Sequence, residues 1–556
     1  MKKAEELILK HALINAKEFN GKANPKAVLG KVLAEEPKLK KDIGKIAKEI
    51  AKVVKDVNGW KAEKQEKELK KFGKIEKPEK KQREGLPELP NAKMGKVVTR
   101  FAPFPSGSLH IGNMKAVVVS YEYAKMYKGK FILRIEDTDP DPRKVKKENV
   151  EFIKKDLEAM GIKADKFYLC SSKFEKHYEL ARELIKGKKA YVCVCPPMIG
   201  ANGRASASKK ACKCRKNSIK KNKELFEKMF TEFKEREAVL RLKTDIDDPN
   251  PALRDPIILR IKEGENPTTG KKHRVYPSYN FNAAIEDHDE GVTHILRGTE
   301  HAFNTIIQKK VCDALGWTDY NPVTINFGFM YMPGEKIHKR FIRDAIAKGR
   351  FTGWDDPRLG QYGLVRALIK RGIKPQAIKN MIIEMGVNKQ TVHFTWEKLY
   401  TENRKLIDDK SERYFLVCDP VQIQLDRLVE RSVKAPIYPG KRKYRKIPAS
   451  KKMFVDKMDF VGHRGKEVRL MHFCNVILDR KAKVTGKTNK DIRKIHWVGT
   501  KNIKVKLIMP DGKIIEGLAE PEIKNVKENE TIQMERIGFA RCDQAGKEII
   551  FYYGHR

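Results

Sequence analysis

No run in the 556 residues is apolar for long enough to cross a membrane, and no signal-peptide pattern is present. A membrane partner is therefore not expected. Cysteine is too sparse for a disulfide framework: there are nine, an odd number in a large chain, which points to a reducing, cytoplasmic setting. No internal repeat stands out. Acidic side chains are too few to balance the basic ones. Against 118 Lys and Arg there are 73 Asp and Glu, a net charge of +45. A field of that size favours a polyanionic partner whose phosphates neutralise it. A lysine-rich surface of the thermophile kind gives the same count, and the two readings are compatible. The length allows about three to five domains, each able to bury its own core.

What is present is organised around residues 99–115, T-R-F-A-P-F-P-S-G-S-L-H-I-G-N-M-K. Residues 97–101 are apolar and β-branched enough for a buried, parallel strand. Pro103, Pro105, Ser106 and Gly107 then force an irregular turn. Residues 110–127 read as a helix, with Ile111, Met114, Val117, Val118 and Tyr121 at helical spacing. A strand, a tight turn and a helix start make a phosphate site, because unpaired amides and the positive end of the helix dipole favour anions. Gly107 and Gly112 let the backbone approach a ligand closely, and His110 can donate to phosphate oxygens. A packed strand–helix corner without a ligand is the alternative on these residues alone.

A strand over 130–135 runs into Glu136, Asp137 and Asp139. Carboxylates at the carboxyl end of a strand sit where open α/β sheets bind ligands. Glu136 could hold an ammonium group, whereas Asp139 or Asp141 suits a cap for a helix over 144–160. Another helix is read over 174–186. The alternation breaks at 190–274, which reads as an inserted subdomain. It carries Cys193-Val-Cys195 and Cys212-Lys-Cys214, four of the nine cysteines within 22 residues. Two such pairs can offer four thiolates to a tetrahedral zinc that staples a loop lacking an apolar core. Free thiols are the alternative. Residues 1–72 read as a helical unit: Leu7, Ile8, Ala12, Leu13 and Ala16 form one stripe, and Ile43, Ile46, Ile50, Val53 and Val57 another. Asn24-Pro25 starts a helix that Pro37 ends. Residues 73–93, rich in Lys, Glu and Pro, read as a linker. From about 414 onward, short apolar runs between Gly, Asp, Asn and Pro turns have the texture of a β-barrel.

His110-Ile111-Gly112-Asn113, preceded by R-F-A-P-x-P-S-G, resembles the His-Ile-Gly-His signature of class I aminoacyl-tRNA synthetases, in the glutamyl/glutaminyl branch. Asn113 replaces the second histidine; an amide can hydrogen-bond a nucleotide but cannot become cationic. Met332 to Arg340, with Lys336 and Lys339, occupies the place of the second signature, Lys-Met-Ser-Lys, and His338 stands where the family has serine. The run from Tyr276 through Tyr279 to Arg297-Gly298-Thr299-Glu300-His301 resembles the second half of the catalytic domain. Gly353-Trp354-Asp355-Asp356-Pro357-Arg358 is a marker of the same family. The β-rich end is similar to the anticodon-binding barrels of glutaminyl and of archaeal or eukaryotic glutamyl enzymes. The resemblance spans nearly the whole chain and is to archaeal-type glutamyl-tRNA synthetases.

That resemblance implies a multidomain architecture. A Rossmann-type α/β catalytic domain would occupy 94–189 and 275–345, interrupted by an acceptor-stem-binding insert at 190–274. A helical stem-contact domain at 346–413 and a β-barrel anticodon-binding region at 414–556 would follow. Bacterial relatives carry a zinc cluster in the same insert, a resemblance that supports zinc on Cys193, Cys195, Cys212 and Cys214. ATP, with Mg2+, would lie on Pro103, Gly107, His110, Gly112, Asn113, Lys336, Lys339 and Arg340, with His110, Lys336 and Lys339 the catalytic groups. Arg100 and Arg297 match positions that hold glutamate's carboxylates, and Glu136 and Tyr279 match the amino-group side. Trp354, Asp355, Asp356 and Arg358 would face tRNA.

Arg297 decides the amino acid, because glutamate and glutamine are nearly isosteric and differ by one charge, which a guanidinium can read. Its alternative is a buried ion pair with Asp287 or Glu300. Ala283 stands where bacterial relatives have asparagine. The implied partners are L-glutamate, ATP, tRNA(Glu) and also tRNA(Gln), with a tRNA or protein partner at the lysine-covered N-terminal unit. The choice of tRNA would rest on the barrel and its basic loops at 441–446 and 481–494. A glutaminyl-tRNA synthetase is disfavoured by Arg297, and a small-molecule nucleotidyltransferase by the Trp354 marker and the long β region. A catalytically inactive tRNA-binding paralogue is suggested by Asn113 and His338.

Overall fold

The structure, a computed structural model, describes residues 2–18, 21–72, 85–141, 145–195, 209–332 and 339–556. Lys336 and His338 lie outside these described residues. The chain divides into two compact units, Met1–Gln82 and Arg83–Arg556.

The first unit contains helices α1 (Lys2–Glu18), α2 (Pro25–Glu35), α3 (Ile43–Asn58) and α4 (Ala62–Lys70). Ile8, Ala12, Leu13 and Ala16 of α1 are buried with Val28 and Val32 of α2 and with Ile46, Ile50, Val54 and Val57 of α3. Ile43 is 49% exposed, so the α3 stripe begins one turn later than its sequence suggests. Asn24 caps α2 by accepting from the Lys26 amide at 2.9 Å, and Pro25 fills the first turn, where its missing N–H costs nothing.

The second unit is built on parallel strands. β1 (Val98–Phe101), α5 (Ile111–Met126), β2 (Lys130–Ile135), α6 (Lys147–Ala159) and β3 (Lys166–Leu169) form a sheet in the order β1-β2-β3. Val98 aligns with Lys130, and Ile132 with Lys166. Helix α5 is apolar on nearly every side and is correspondingly buried: Met114, Val117, Val118 and Val119 are all at 0% exposure. Part of the segment read as a linker belongs to this unit. Leu86, Leu89 and Ala92 join its core, and the Leu89 amide donates to the Tyr127 hydroxyl at 3.0 Å.

After α7 (Phe174–Lys186) the chain leaves the parallel sheet. β4 (Ala190–Cys193), α8 (Ile219–Thr231), β5 (Val239–Leu242), β6 (Ile257–Ile261) and β7 (Val275–Pro277) follow, the four strands pairing antiparallel in chain order. It returns through α9 (Tyr279–Asp289), β8 (His294–Gly298), α10 (Ala302–Ala314) and β9 (Val323–Phe327). β8 and β9 are parallel, and the Thr293 amide donates to the Val98 carbonyl at 3.0 Å, which sets β8 beside β1. The two half-sheets thus meet at the strand that leads into the glycine turn.

Helix α11 (Lys339–Ala347) and helices Val365–Lys370, Pro375–Met385 and Trp396–Ile407 come next. The C-terminal region holds two seven-stranded sheets. Each has its own core, one around Phe415, Ile423, Val476 and Trp497, the other around Leu507, Met534 and Phe551. In the basic run at 441–446, Lys441, Lys443 and Lys446 are exposed but Arg445 turns inward. Its guanidinium is fully buried and bonds Glu520 at 2.9 Å and Glu535 at 2.8 Å, so it holds the region together instead of facing outward.

Candidate active site

The turn between β1 and α5 requires glycine at 107. Gly107 has φ +133°, and a Cβ there would lie 2.7 Å from the Trp354 ring. His110 is the N-cap of α5. Its Nδ1 accepts from the Gly112 amide at 3.1 Å, while the Asn113 side-chain oxygen accepts from the His110 amide at 3.2 Å. The asparagine that replaces the signature's second histidine therefore closes a reciprocal cap. With Nδ1 accepting, the proton of the neutral imidazole sits on Nε2. Burial, helped by the nearby Lys339 charge, lowers the His110 pKa to about 4, so the ring is a neutral donor at pH 7. Asp156 on α6 locks the turn from below: it accepts from Ser108 Oγ at 2.7 Å, the Leu109 amide at 2.6 Å and Arg366 Nε at 2.7 Å.

Lys339, the first residue of α11, reaches this turn from the far end of the sequence. Its Nζ lies 3.3 Å from Ser106 Oγ and 3.4 Å from the Gly107 carbonyl oxygen. Burial pushes its pKa down to about 8. Both contacts are uncharged.

A cavity of about 550 Å3 opens between β1 and β8, lined by Arg100, Pro103, Gly112, Asn113, Glu136, Tyr279, Arg297 and Lys339. Residues separated by more than two hundred positions thus share one chamber, and the Glu136 amide donates to the Pro103 carbonyl at 3.0 Å to tie the end of β2 to the turn. On the β1–β2 side Arg100 and Arg134 each have a carboxylate. Arg100 donates from Nε and Nη2 to Asp287 at 3.0 and 3.3 Å, and Arg134, at 0% exposure, donates to Asp287 at 2.9 Å and Glu290 at 3.0 Å. Burial opposes the charge on both arginines, but the carboxylates outweigh it and both pKa values are raised. Glu136 accepts from Asn282 Nδ2 at 2.7 Å through one oxygen, while its other oxygen is 3.5 Å from Arg134 Nε and makes no hydrogen bond. Burial raises its pKa to about 7 against the pull of Arg134.

Arg297 is placed differently. It is 5% exposed, and its Nη2 donates to Thr305 Oγ1 at 2.8 Å and Gln308 Oε1 at 2.9 Å. Nη1 reaches the Tyr279 hydroxyl at 3.5 Å, and Nε is buried without a partner. Burial and then the field of Arg100 lower its pKa. Among the described residues no carboxylate lies within ion-pair distance. The alternative of a buried pair with Asp287 or Glu300 is not formed, because Asp287 is committed to the other two arginines.

Comparison with known proteins agrees with this geometry. Residues 96–409 match the family described as tRNA synthetases class I (E and Q), catalytic domain. Residues 411–497 and 494–543 match two anticodon-binding domain families of the same group. The chain belongs to the class I tRNA synthetases of the E and Q branch. The synthetase is 43% identical to the glutamate–tRNA ligase of Pyrococcus abyssi, over 99% of this chain and 100% of the relative. It is 41% identical to that of Thermococcus kodakarensis, over 100% of both chains. With that of Methanothermobacter marburgensis the identity is 38%, over 99% of this chain and 100% of the relative. Its architecture is the expected one: an α/β catalytic domain, helices, and a C-terminal anticodon-binding region of nearly closed sheets.

Other residues of the synthetase singled out by sequence lie elsewhere. Arg340, next to Lys339 on α11, is 88% exposed and points away from the cavity toward Asp344. Consecutive residues on a helix diverge by about 100°, so both cannot face the same chamber. Trp354 is buried under Gly107, and Asp356, at 2% exposure, caps a turn by accepting from the Arg358 amide at 3.0 Å while pairing with its guanidinium at 2.7 Å. Trp354 thus supports the signature turn from behind, while Asp355 is half-buried. The sulfurs of Cys193, Cys195, Cys212 and Cys214 all lie within 4.8 Å of one another.

Sequence reading passed over Arg134, Asp156, Asn282, Thr305, Gln308 and the network role of Asp287. Arg134 had a usable signal: a charge inside the apolar strand Lys-Phe-Ile-Leu-Arg-Ile must be paired once buried.

Proposed function

We propose that the chain is a glutamate–tRNA ligase. Glutamate attacks the α-phosphate of ATP, giving glutamyl-adenylate and pyrophosphate, and the terminal ribose hydroxyl of tRNA then attacks the adenylate. The observation that carries this reading is Arg297, a buried cation with only neutral partners in a cavity that adjoins the glycine turn. A carboxylate side chain would complete it through a charge-assisted hydrogen bond from Nη1, since Nη2 is taken by Thr305 and Gln308; an amide would leave its charge uncompensated. Neither step needs a covalent enzyme intermediate. Catalysis comes from in-line positioning and from stabilising charge on the phosphates. His110 Nε2–H and Lys339 supply that stabilisation here, with ATP entering as its magnesium complex. Lys336 is assigned the same work by its place in the signature. Glu136, with one oxygen unsatisfied, takes the substrate ammonium, and Arg100 offers its remaining Nη1 to the α-carboxylate.

The antiparallel insert serves the acceptor stem, the helical region after α11 the stem, and the barrels the anticodon. The N-terminal unit docks tRNA or a protein partner, and the setting is cytoplasmic. The four-cysteine set fits zinc. Its sulfur separations of 3.0, 3.6 and 3.8 Å lie at or below the edge of about 3.8 Å expected for a tetrahedron with Zn–S near 2.3 Å, so the four thiols are close enough to share one ion. Purified protein is expected to carry one zinc, lost in a Cys212→Ser/Cys214→Ser variant; metal analysis finding none in protein prepared without chelators would refute this.

Charging with labelled glutamate on separate tRNA(Glu) and tRNA(Gln) transcripts tests the function. Acceptance of both is expected, and no glutamate transfer to either would overturn the assignment.

A further inference from the structure

Arg297 could have been built with a carboxylate beside it, as Arg100 and Arg134 are, and its orientation would have been held at least as firmly. Instead its Nη2 is held by an alcohol and an amide, Thr305 and Gln308. Gln308 is itself fixed, at 6% exposure, by donating from Nε2 to Asn280 Oδ1 at 3.2 Å; Asn280 in turn donates to Asn304 Oδ1 at 3.1 Å. This amide chain orients Gln308 so that its oxygen, not its nitrogen, meets the guanidinium. Every link is neutral. The result is a guanidinium that is positioned without being neutralised, in a site where charge is weakly screened.

We infer that Gln308 is a specificity-determining positioning residue. It presents Arg297 in a fixed orientation while leaving its charge unspent, and that neutrality is what separates a carboxylate-bearing amino acid from its amide. The inference rests on the proposed glutamate reading and goes beyond it: Arg297 alone would not discriminate if its cradle were anionic. A glutamate at 308 would accept the same hydrogen bond in the same volume while cancelling the charge that the substrate carboxylate needs.

The test measures, in tRNA charging, the KM for glutamate, the KM for ATP and the inhibition constant of glutamine. Wild-type charging of glutamate must be seen first; its absence would refute the functional reading, not the role of Gln308. Gln308→Glu is expected to raise the glutamate KM about tenfold or more, with the ATP KM and the glutamine inhibition constant within about twofold of wild type. Gln308→Met, which removes the acceptor without adding charge, is expected to raise it only about two- to threefold. An unchanged glutamate KM in Gln308→Glu, equal losses in the two variants, or a parallel loss of glutamine binding would each overturn the inference. Should Gln308→Glu lack a cooperative melting transition, Asn280→Asp carries the test. It sets a negative charge one link further from Arg297, and the glutamate KM is expected to rise about threefold with glutamine unaffected. No rise would overturn the inference as well.

Discussion

On the β1–β2 side of the cavity, Arg100 and Arg134 share Asp287 and Arg134 also holds Glu290; on the β8 side, Arg297 meets only Thr305, Gln308 and Tyr279. The burial is alike, since all three arginines are 5% exposed or less. The chemistry of the partners is what differs. A buried cation that the protein itself neutralises is part of the scaffold, because removing either member strands the other in a medium that punishes charge. A buried cation held by neutral groups has paid its desolvation without a return, and the return comes from an anionic ligand. Lys339, half-buried, is likewise held by neutral groups, with Ser106 Oγ and the Gly107 carbonyl as its contacts. On the proposed reading, the contrast separates the two arginines that build the chamber from the one that reads its contents.

The largest expected effect follows from the β8 side. Arg297→Cys should lower kcat/KM for glutamate by about two to four orders of magnitude, from about 3–5 kcal/mol for losing one partner of a desolvated charge pair. It should barely move the melting temperature, since no carboxylate of the protein is stranded. Asp287→Asn should do the reverse, costing about 3–5 kcal/mol of folding stability by leaving Arg100 and Arg134 under-compensated. Equal melting temperatures for the two variants in a thermal scan would erase the distinction. Lys339→Ala should raise the barrier to turnover by about 2–4 kcal/mol without loss of stability. Wild-type-like turnover would remove Lys339 from the mechanism.

The smallest effect is a pH limb. Glu136 must be ionised to receive an ammonium group, and its pKa is raised to about 7. The kcat/KM for glutamate should therefore climb with pH up to about 7 and level off above it. Glu136→Gln should be weakly active and lack that limb. The same shift makes stability decline between the ordinary carboxylate pKa of 4.5 and about 7, because the unfolded chain gives up this proton first. Stability rising with pH over that window in wild type, relative to Glu136→Gln, would contradict the assignment.

How far the sequence carried depended on whether the determinant was local. The strand over 130–135, the helix over 174–186 and the turn at Gly107 are all set by neighbours in the chain, and the structure has them at those positions. Helix α5 starts one residue after His110 for the same reason, because His110 and Asn113 cap it between themselves. The pairing of Arg100 and Arg134 with Asp287 spans 187 and 153 positions, and no periodicity encodes that. Arg297 could be singled out by resemblance, but its neutral surroundings could not, since Asn280, Thr305 and Gln308 sit on different turns of two helices and read as ordinary polar positions. Trp354 was legible as a marker and not as the floor beneath Gly107, a contact made only when the helical region folds back on the turn.

On the proposed reading, an unneutralised guanidinium selects the charged amino acid. Charging by wild-type protein from an equimolar mixture of differently labelled glutamate and glutamine, on one tRNA preparation, tests it most directly. Glutamate is expected on the tRNA to the near exclusion of glutamine; comparable incorporation of both would show that the guanidinium does not make the choice.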